Sequence, residues 1–189
     1  MVEGDYSQAA FFYVANALGS EIVVDNLNTA SVQGDKKILE IIEKMGYNKT
    51  NASDVKLKPF EADVSDIPDL VPIMTVLGCF GDGTSRITGA KRLKIKESDR
   101  LAAIAEALNA VGGKVTVFDD ALEIAPIEKF HAGTINGCND HRIVMAAAIA
   151  STMSDGEFVI TDAEAVTKSY PDFWKDFASL GGNYEEIAD

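Results

Sequence analysis

The chain has 189 residues, with 17 basic and 30 acidic side chains and a formal net charge of −13. Its 47% hydrophobic and 25% charged residues are the proportions of a globular protein with a core of its own, which excludes disorder and collagen-like structure. So acidic a chain offers no broad basic footprint for a phosphate backbone, so no nucleic-acid partner is expected.

The start, MVEGDYSQAA, lacks the charged-then-apolar layout of a signal peptide. The longest apolar stretches, 70–80 and 143–153, have eleven residues each. A bilayer needs about 20, so no membrane segment is expected. Cys79 and Cys138 lie far apart in sequence, in or beside apolar runs, which reads as reduced thiols in a cytoplasmic protein. His131 and His141 have no Cys or His at ligand spacing, so no metal site is expected.

The first element is a helix, AAFFYVANAL, apolar nearly all round and therefore predicted to be buried. A glycine turn leads to a β-branched strand, EIVVDNL. An amphipathic helix follows, with Ile38, Ile41, Ile42 and Met45 at 3–4 spacing and a cap at Gly46. The stretch YNKTNASDVKLKPFEADV reads as a hairpin. The plan then restarts with a second buried helix, LVPIMTVLGCF, a glycine turn and short strand in GDGTSRITGA, and a helix carrying Leu101, Ile104, Ala105 and Leu108 that ends at Gly112–Gly113. KVTVFDDALEIAPI reads as a hairpin around Asp119–Asp120. A third round brings IVMAAAIA, the strand EFVITDA, and a helix ending at Gly181–Gly182, after which only NYEEIAD remains.

Asp5 to Gln33 spans 28 residues, Asp66 to Lys96 spans 30, and Asp140 to Lys168 spans 28. Such self-similarity marks three pseudo-repeats, about 1–62, 63–127 and 138–189, with no low-complexity linker between them. They are expected to stack as a single domain, 1–189. The third lacks its last strand, and an open sheet edge is normally covered. The chain is therefore expected to be part of a longer one.

Polar residues crowd the helix starts. Capping accounts for the acids and hydroxyls, and Asp35, Ser65, Asp66, Ser98 and Asp172 read as caps. Capping does not account for Lys96, Arg100, Arg142 and Lys168, because a cation at a helix start opposes the macrodipole. Stacked repeats bring these ends to one rim, where amides and guanidinium forks would make an anion site. Residues 86–100 hold six of the seventeen basic side chains. Within them Arg92, Lys94 and Lys96 alternate with Leu93 and Ile95, which predicts three cations on one face of an extended strand. Lys91 and Lys94 equally fit a solvated basic face. Asp69 and Glu97 fall among the cations, and each suits an ion pair or a cap as well as acid–base work.

The strings GDYSQAAFF, DIPDLVPIMTVLGCFGDGTSRITGAKRLKIKESDRL, NDHRIVMAAAIA and KSYPDFW resemble the 3-phosphoshikimate 1-carboxyvinyltransferases, or 5-enolpyruvylshikimate-3-phosphate synthases. That resemblance implies an α/β fold: an inside-out α/β barrel domain of repeated βαβαββ units around buried central helices, here the C-terminal portion of a two-domain enolpyruvyl transferase. It also implies transfer of the enolpyruvyl group of phosphoenolpyruvate to the 5-hydroxyl of shikimate 3-phosphate, through a tetrahedral adduct and with release of phosphate, in the shikimate pathway of aromatic amino-acid biosynthesis. No metal or organic cofactor is implied. Carried over, Asp69 would take the hydroxyl proton and help bind shikimate 3-phosphate, and Glu97 would exchange the proton at the phosphoenolpyruvate methylene. Arg92 and Lys96 would reach shikimate 3-phosphate, although some members carry asparagine in place of Arg92. Arg100, Arg142 and Lys168 would clamp phosphoenolpyruvate, and His141 would support the site.

The family's Ser-Ser-Gln-type contacts, a lysine near its start and a phosphoenolpyruvate-binding arginine have no counterpart here. The implied partner is the missing N-terminal domain of the same enzyme, without which the chain is expected to be inactive. Two other readings compete. A UDP-N-acetylglucosamine enolpyruvyl transferase-like domain shares the chemistry, but KESDR and KSYPDF favour the shikimate enzyme. A non-catalytic repeat domain that binds anions or a partner protein would have no need of Asp69 and Glu97.

Overall fold

A computed structural model describes residues 3–47 and 56–187. The described helices are α1 (Tyr6–Ala17), α2 (Lys37–Lys44), α3 (Val71–Gly78), α4 (Arg100–Ala110), α5 (His141–Ser151) and α6 (Phe173–Ser179). The strands are β1 (Glu61–Asp63), β2 (Ser85–Thr88), β3 (Val115–Val117), β4 (Ala121–Ile124), β5 (Gly133–Ile135) and β6 (Phe158–Ile160).

Helices that are apolar on every side have no face to give to water. Accordingly α1, α3 and α5 form the centre, and each of the three packs on the other two. Every residue of α3 is buried, as is α5 from His141 to Ala150. The amphipathic helices lie outside, α2 on α1 and α4 against both α3 and α5. Tyr170, Phe173, Trp174 and Phe177 make an aromatic cluster, edge-on except for the stacked Phe173–Phe177 pair, that seats α6 near Phe12 of α1. Full burial of one large aliphatic side chain contributes roughly 1.5–3 kcal/mol, so these three helices supply a large share of the stability.

The sheets wrap this helical centre. One has the order β1-β2-β4-β3, with β1 and β2 parallel and the other pairs antiparallel. The other pairs β5 with β6 in parallel, and no further named strand joins it among the described residues. The hairpin expected around Asp119–Asp120 is present as β3 and β4, closed by Phe118 N donating to Ala121 O at 2.8 Å. Of the hairpin expected over 47–64, residues 48–55 lie outside the described residues, and Glu61–Asp63 form β1, which pairs in parallel with β2.

Helix ends follow the sequence closely at glycine. Gly46, Gly112 and Gly181 take φ of 91°, 95° and 100°. After each, the next amide bonds back across the last turn: Tyr47 to Ile42 O, Gly113 to Leu108 O and Gly182 to Phe177 O. This is the left-handed C-terminal cap that a side chain would strain.

Helix starts differ from expectation. The capping side chains are Asp5 on α1, Asp99 on α4 and Asp140 on α5. Asp35 lies inside a 3-10 turn, Gly34–Lys36, and Asp172 has φ −89° and ψ 7°; neither makes a capping bond. A cap needs a backbone outside the helical region for its oxygen to reach back to the free amides.

Two predicted strands are also corrected. Residues 21–27 alternate exposed and half-buried positions only as far as Asp25 and form no ladder, leaving Val23 88% exposed. β2 has partners on both sides, whereas this segment has none among the described residues. Residues Lys91–Ile95 form a 3-10 helix, not an extended strand. Both edges of β2 are taken, and the chain leaves the sheet at Gly89, whose φ is 71°. The three cations therefore diverge. Leu93 points into the core, Lys94 pairs with Asp119, Lys96 pairs with Asp69, and Arg92 is exposed.

Candidate active site

The N-terminal ends of α1 and α5, the 3-10 turn Pro68–Leu70 entering α3, and the junction between Lys91–Ile95 and α4 meet at one rim. Asp69 lies at their crossing. Its Oδ1 accepts from Lys96 Nζ at 3.1 Å and from Arg100 Nη1 at 2.7 Å. Its Oδ2 is 3.5 Å from Arg142 Nη2, which also donates to Ser7 Oγ at 3.0 Å. Ser7 Oγ in turn donates to Asp5 Oδ1, the cap of α1.

Behind this layer lies a closed one. Arg100 is 1% exposed, donating from Nε to Asp140 Oδ2 at 2.8 Å and from Nη2 to Glu97 Oε2 at 2.5 Å and Asp140 Oδ1 at 3.2 Å. Asp140 is fully buried, and it also accepts from Ser98 Oγ and from Arg142 N. The face left open to a ligand is made by Asp69, Lys96 and Glu97, whose side chains are 31%, 30% and 42% exposed.

Electrostatics follow from this layering. Burial works to raise the pKa of Asp69, but Arg142, Lys96 and Arg100 outweigh it and hold the carboxyl below its usual range. For Asp140, burial is likewise outweighed, chiefly by its bonds and charge contact with Arg100. Burial, helped by the adjacent Arg142, lowers the pKa of His141, so its imidazole is neutral near pH 7. The His141 Nδ1 is buried with no hydrogen-bond partner among the described residues.

Of the residues singled out in the sequence, Asp69, Lys96, Glu97, Arg100 and Arg142 are in one network. Lys168 stands at its margin, donating to the backbone oxygen and the Oδ1 of Asn139, the neighbour of Asp140. Arg92 is exposed and makes no ion pair among the described residues. Sequence reasoning took Asp140 and Ser7 for helix-start polar groups and missed their second roles, as counter-ion of Arg100 and partner of Arg142. Nothing in the spacing marks either role, since the partners are 40 and 135 positions away.

Among the described residues no three His, Cys, Asp or Glu side chains are grouped to hold a metal ion. No described helix is long and apolar enough to cross a membrane. Recesses of about 490 and 220 Å³ lie toward the C-terminal ends of α1 and α5, away from the charged network. The network itself is an open rim.

Central helices wrapped by sheets, with a charged rim at their N-terminal ends, define the inside-out α/β barrel of the enolpyruvyl transferases. The structure superposes on an EPSP synthase from Acinetobacter baumannii with a TM-score of 0.84 at 25% identity, covering 97% of this chain and 47% of that one. It also matches the enolpyruvyl transferase NikO from Streptomyces tendae with a TM-score of 0.68 at 16% identity, a likeness of fold alone, over 96% of this chain and 44% of that one.

The sequence profile of EPSP synthase (3-phosphoshikimate 1-carboxyvinyltransferase) matches residues 1–177, and the chain belongs to that family. A 3-phosphoshikimate 1-carboxyvinyltransferase from Clostridium novyi is 45% identical over 191 aligned positions, covering 98% of this chain and 44% of the relative. The chain thus spans less than half the length of the curated relatives it matches.

Proposed function

We propose that this chain supplies one half of the active site of an enzyme that transfers the enolpyruvyl group of phosphoenolpyruvate to the 5-hydroxyl of shikimate 3-phosphate. The observation that carries the reading is the setting of Asp69, a carboxylate held by Lys96, Arg100 and Arg142, with Glu97 open beside it. A site built only to store anions gains nothing from carboxylates among its cations. An enzyme that must move protons next to a bound anion requires them.

The geometry supports a base that its substrate switches on. In the free chain the cations hold Asp69 ionised and weakly basic. An anionic ligand arriving at Lys96 and Arg142 draws their charge away and adds its own, and both changes raise the proton affinity of Asp69. Asp69 then accepts the 5-hydroxyl proton as that oxygen bonds to C2 of phosphoenolpyruvate, while Glu97, having taken up a proton from solvent on leaving Arg100, delivers it to C3. Collapse of the tetrahedral adduct returns the C3 proton to Glu97 as the C2–O bond to phosphate breaks. The proton held on Asp69 leaves with the phosphate, and the balance is closed. Lys168 serves as the outer clamp and Arg142, buried against Ser7 and Asp69, as the inner one, and Arg92 and Lys96 reach the shikimate phosphate. Arg100 can bind phosphoenolpyruvate only by releasing Glu97 or Asp69, so its resting role is to position both. His141 supports the rim as a neutral side chain.

In this reading residues 1–189 form one domain of three units, about 1–62, 63–127 and 138–189, which closes on a second domain in the cytoplasm. The test is phosphate release from phosphoenolpyruvate plus shikimate 3-phosphate, by this chain alone and mixed with the N-terminal half of a relative. Turnover only in the mixture supports a half-site. Turnover by the chain alone overturns that part, and a folded but silent complex overturns the substrate assignment.

A further inference from the structure

Asp35 belongs to no pair in the network, yet it is built into the same rim. Its turn is stitched to the start of α1 by Gln33, whose Oε1 accepts from Tyr6 N at 2.8 Å and whose Nε2 donates to Gly4 O at 2.9 Å. Glu3 fastens the other side, accepting from Gln33, Ser31 and Asn28. The turn also abuts the entry to α3, where a Cβ on Gly34 would stand 3.2 Å from Asp66 O. Asp35 is therefore held between the segments that carry Ser7 and Asp69, the two residues that Arg142 reaches.

The other rim carboxylates all accept hydrogen bonds: Asp5 from Ser7, Asp69 from Lys96 and Arg100, Glu97 from Arg100, and Asp140 from Arg100 and Ser98. Asp35 is half-buried, and no side-chain hydrogen bond to it is present among the described residues. It pairs with no cation within ion-pair distance among the described residues, but the charges of Arg142 on α5 and Lys96 lie near enough to favour its ionised form, and those of Asp69 and Asp5 to oppose it. Lys36 and Lys37 follow it in sequence, and Asp66 lies across the turn.

We propose that Asp35 is a further residue of this site, a carboxyl that takes up a proton from solvent when an anion settles on Arg142 and Lys96 and releases it when the anion leaves. The inference rests on the anion site argued above. An anion there cancels the two cations that favour ionised Asp35 and adds a like charge, and both changes drive the carboxyl toward its neutral form. Burial already places its pKa at about 6, so the proton moves in the range where enzymes operate. The neutral form removes a repulsive charge and offers an O–H donor where the carboxylate offers none. Asp35 thus acts as an affinity-determining residue whose proton couples anion binding to pH.

Inorganic sulfate is the probe, because it stays doubly charged across the relevant pH range. The first measurement is the ¹³C NMR titration of the Asp35 carboxyl in the whole chain, with and without sulfate. Sulfate is expected to raise the titration midpoint by about one unit or more, equivalent to about tenfold in proton affinity. The second is sulfate affinity against pH for wild type and Asp35→Asn. Wild-type affinity is expected to weaken about tenfold between pH 5.5 and pH 8, whereas Asp35→Asn binds more tightly at pH 8 and loses most of that dependence. Asparagine keeps the shape, and the NMR titration needs no variant. If sulfate binds while the Asp35 midpoint stays fixed, the coupling is overturned and the anion site stands. If Asp35→Asn keeps the wild-type pH dependence, the proton belongs to another group and the proposal fails. If sulfate leaves the signals of Arg142 and Lys96 unmoved, the anion site itself is overturned and this inference with it.

Discussion

Arg100 and Asp140 face each other in the interior, joined by Nε to Oδ2 at 2.8 Å and Nη2 to Oδ1 at 3.2 Å, with side-chain exposures of 1% and 0%. This fork ties the start of α4 to the start of α5 across 40 positions of sequence. Two ions taken out of water are tolerated only when their remaining donors and acceptors are engaged. Here Asp69, Glu97, Ser98 and the Arg142 amide engage them. Arg100→Met leaves Asp140 buried without its counter-ion and is expected to cost about 3–5 kcal/mol in urea unfolding. Arg100→Lys should recover little, because an ammonium cannot fork onto one carboxylate while reaching two others. A loss below about 1 kcal/mol would mean that water reaches Asp140.

The carboxylates of the rim also set opposite pH slopes on stability. Asp69 and Asp140 have lowered folded pKa values, so their contribution is present above the ordinary carboxylate range and is lost as pH falls through the folded values. Asp35 runs the other way. Its pKa rises from 3.8 unfolded to about 6 folded, so between these values the folded state binds more protons and stability falls as pH rises. The penalty is complete above pH 6. Asp35→Asn is therefore expected to stabilise the chain at pH 8 by about 3 kcal/mol, and to change little at pH 4. Chemical denaturation at both pH values decides it, and an equal gain at each would show that charge burial is not the cause.

Asp69→Asn keeps the shape of the hub and removes its charge. In the enzyme reconstituted with its other half, turnover is expected to fall about 10²–10⁴-fold, the usual range for a lost acid–base group. Anion affinity should hold or rise, because Lys96 and Arg142 are freed from their internal partner. Single-turnover kinetics with a separate phosphoenolpyruvate binding assay distinguishes the two effects. Parallel loss of binding and turnover would make Asp69 a ligand contact without a proton to carry.

Local rules made the fold legible wherever neighbours in sequence decide the structure. The all-round apolar helices, the glycine caps and the Asp119–Asp120 hairpin depend on residues within a few positions of one another. The same holds for the gathering of cations at helix starts, because regular repeats stack regularly. What failed depended on distant partners. Residues 21–27 have the composition of a strand, but composition does not supply a neighbouring strand. Alternation in 91–95 looked like a strand until both edges of β2 were taken. From sequence Asp35 reads as a cap, and Asp140 only as one of the polar residues at a helix start. Asp140 is a cap, and its carboxylate is also the buried end of a fork from a residue 40 positions earlier, while Asp35 caps nothing. Only the packed structure separates them.

Gly137 offers a last test of how the rim is held. Its amide donates to Thr161 Oγ1 at 3.2 Å, and a Cβ there would overlap the backbone oxygen of Thr161 and press on Val144. The next two residues, Cys138 and Asn139, both take left-handed backbone, with φ of 52° and 49°. This loop presents Asn139 to Lys168 and delivers Asp140 to Arg100. Gly137→Ala must push the ends of β5 and β6 apart and is expected to cost about 1–3 kcal/mol, the usual penalty of overpacking. Lys168→Met removes an exposed side chain and should stay within about 0.5 kcal/mol of wild type. Both should weaken anion binding, since one moves the anchor of Lys168 and the other removes the lysine. Thermal unfolding with sulfate titration of each variant checks the pairing. Wild-type sulfate affinity in a destabilised Gly137→Ala would show that Lys168 holds its place without Asn139.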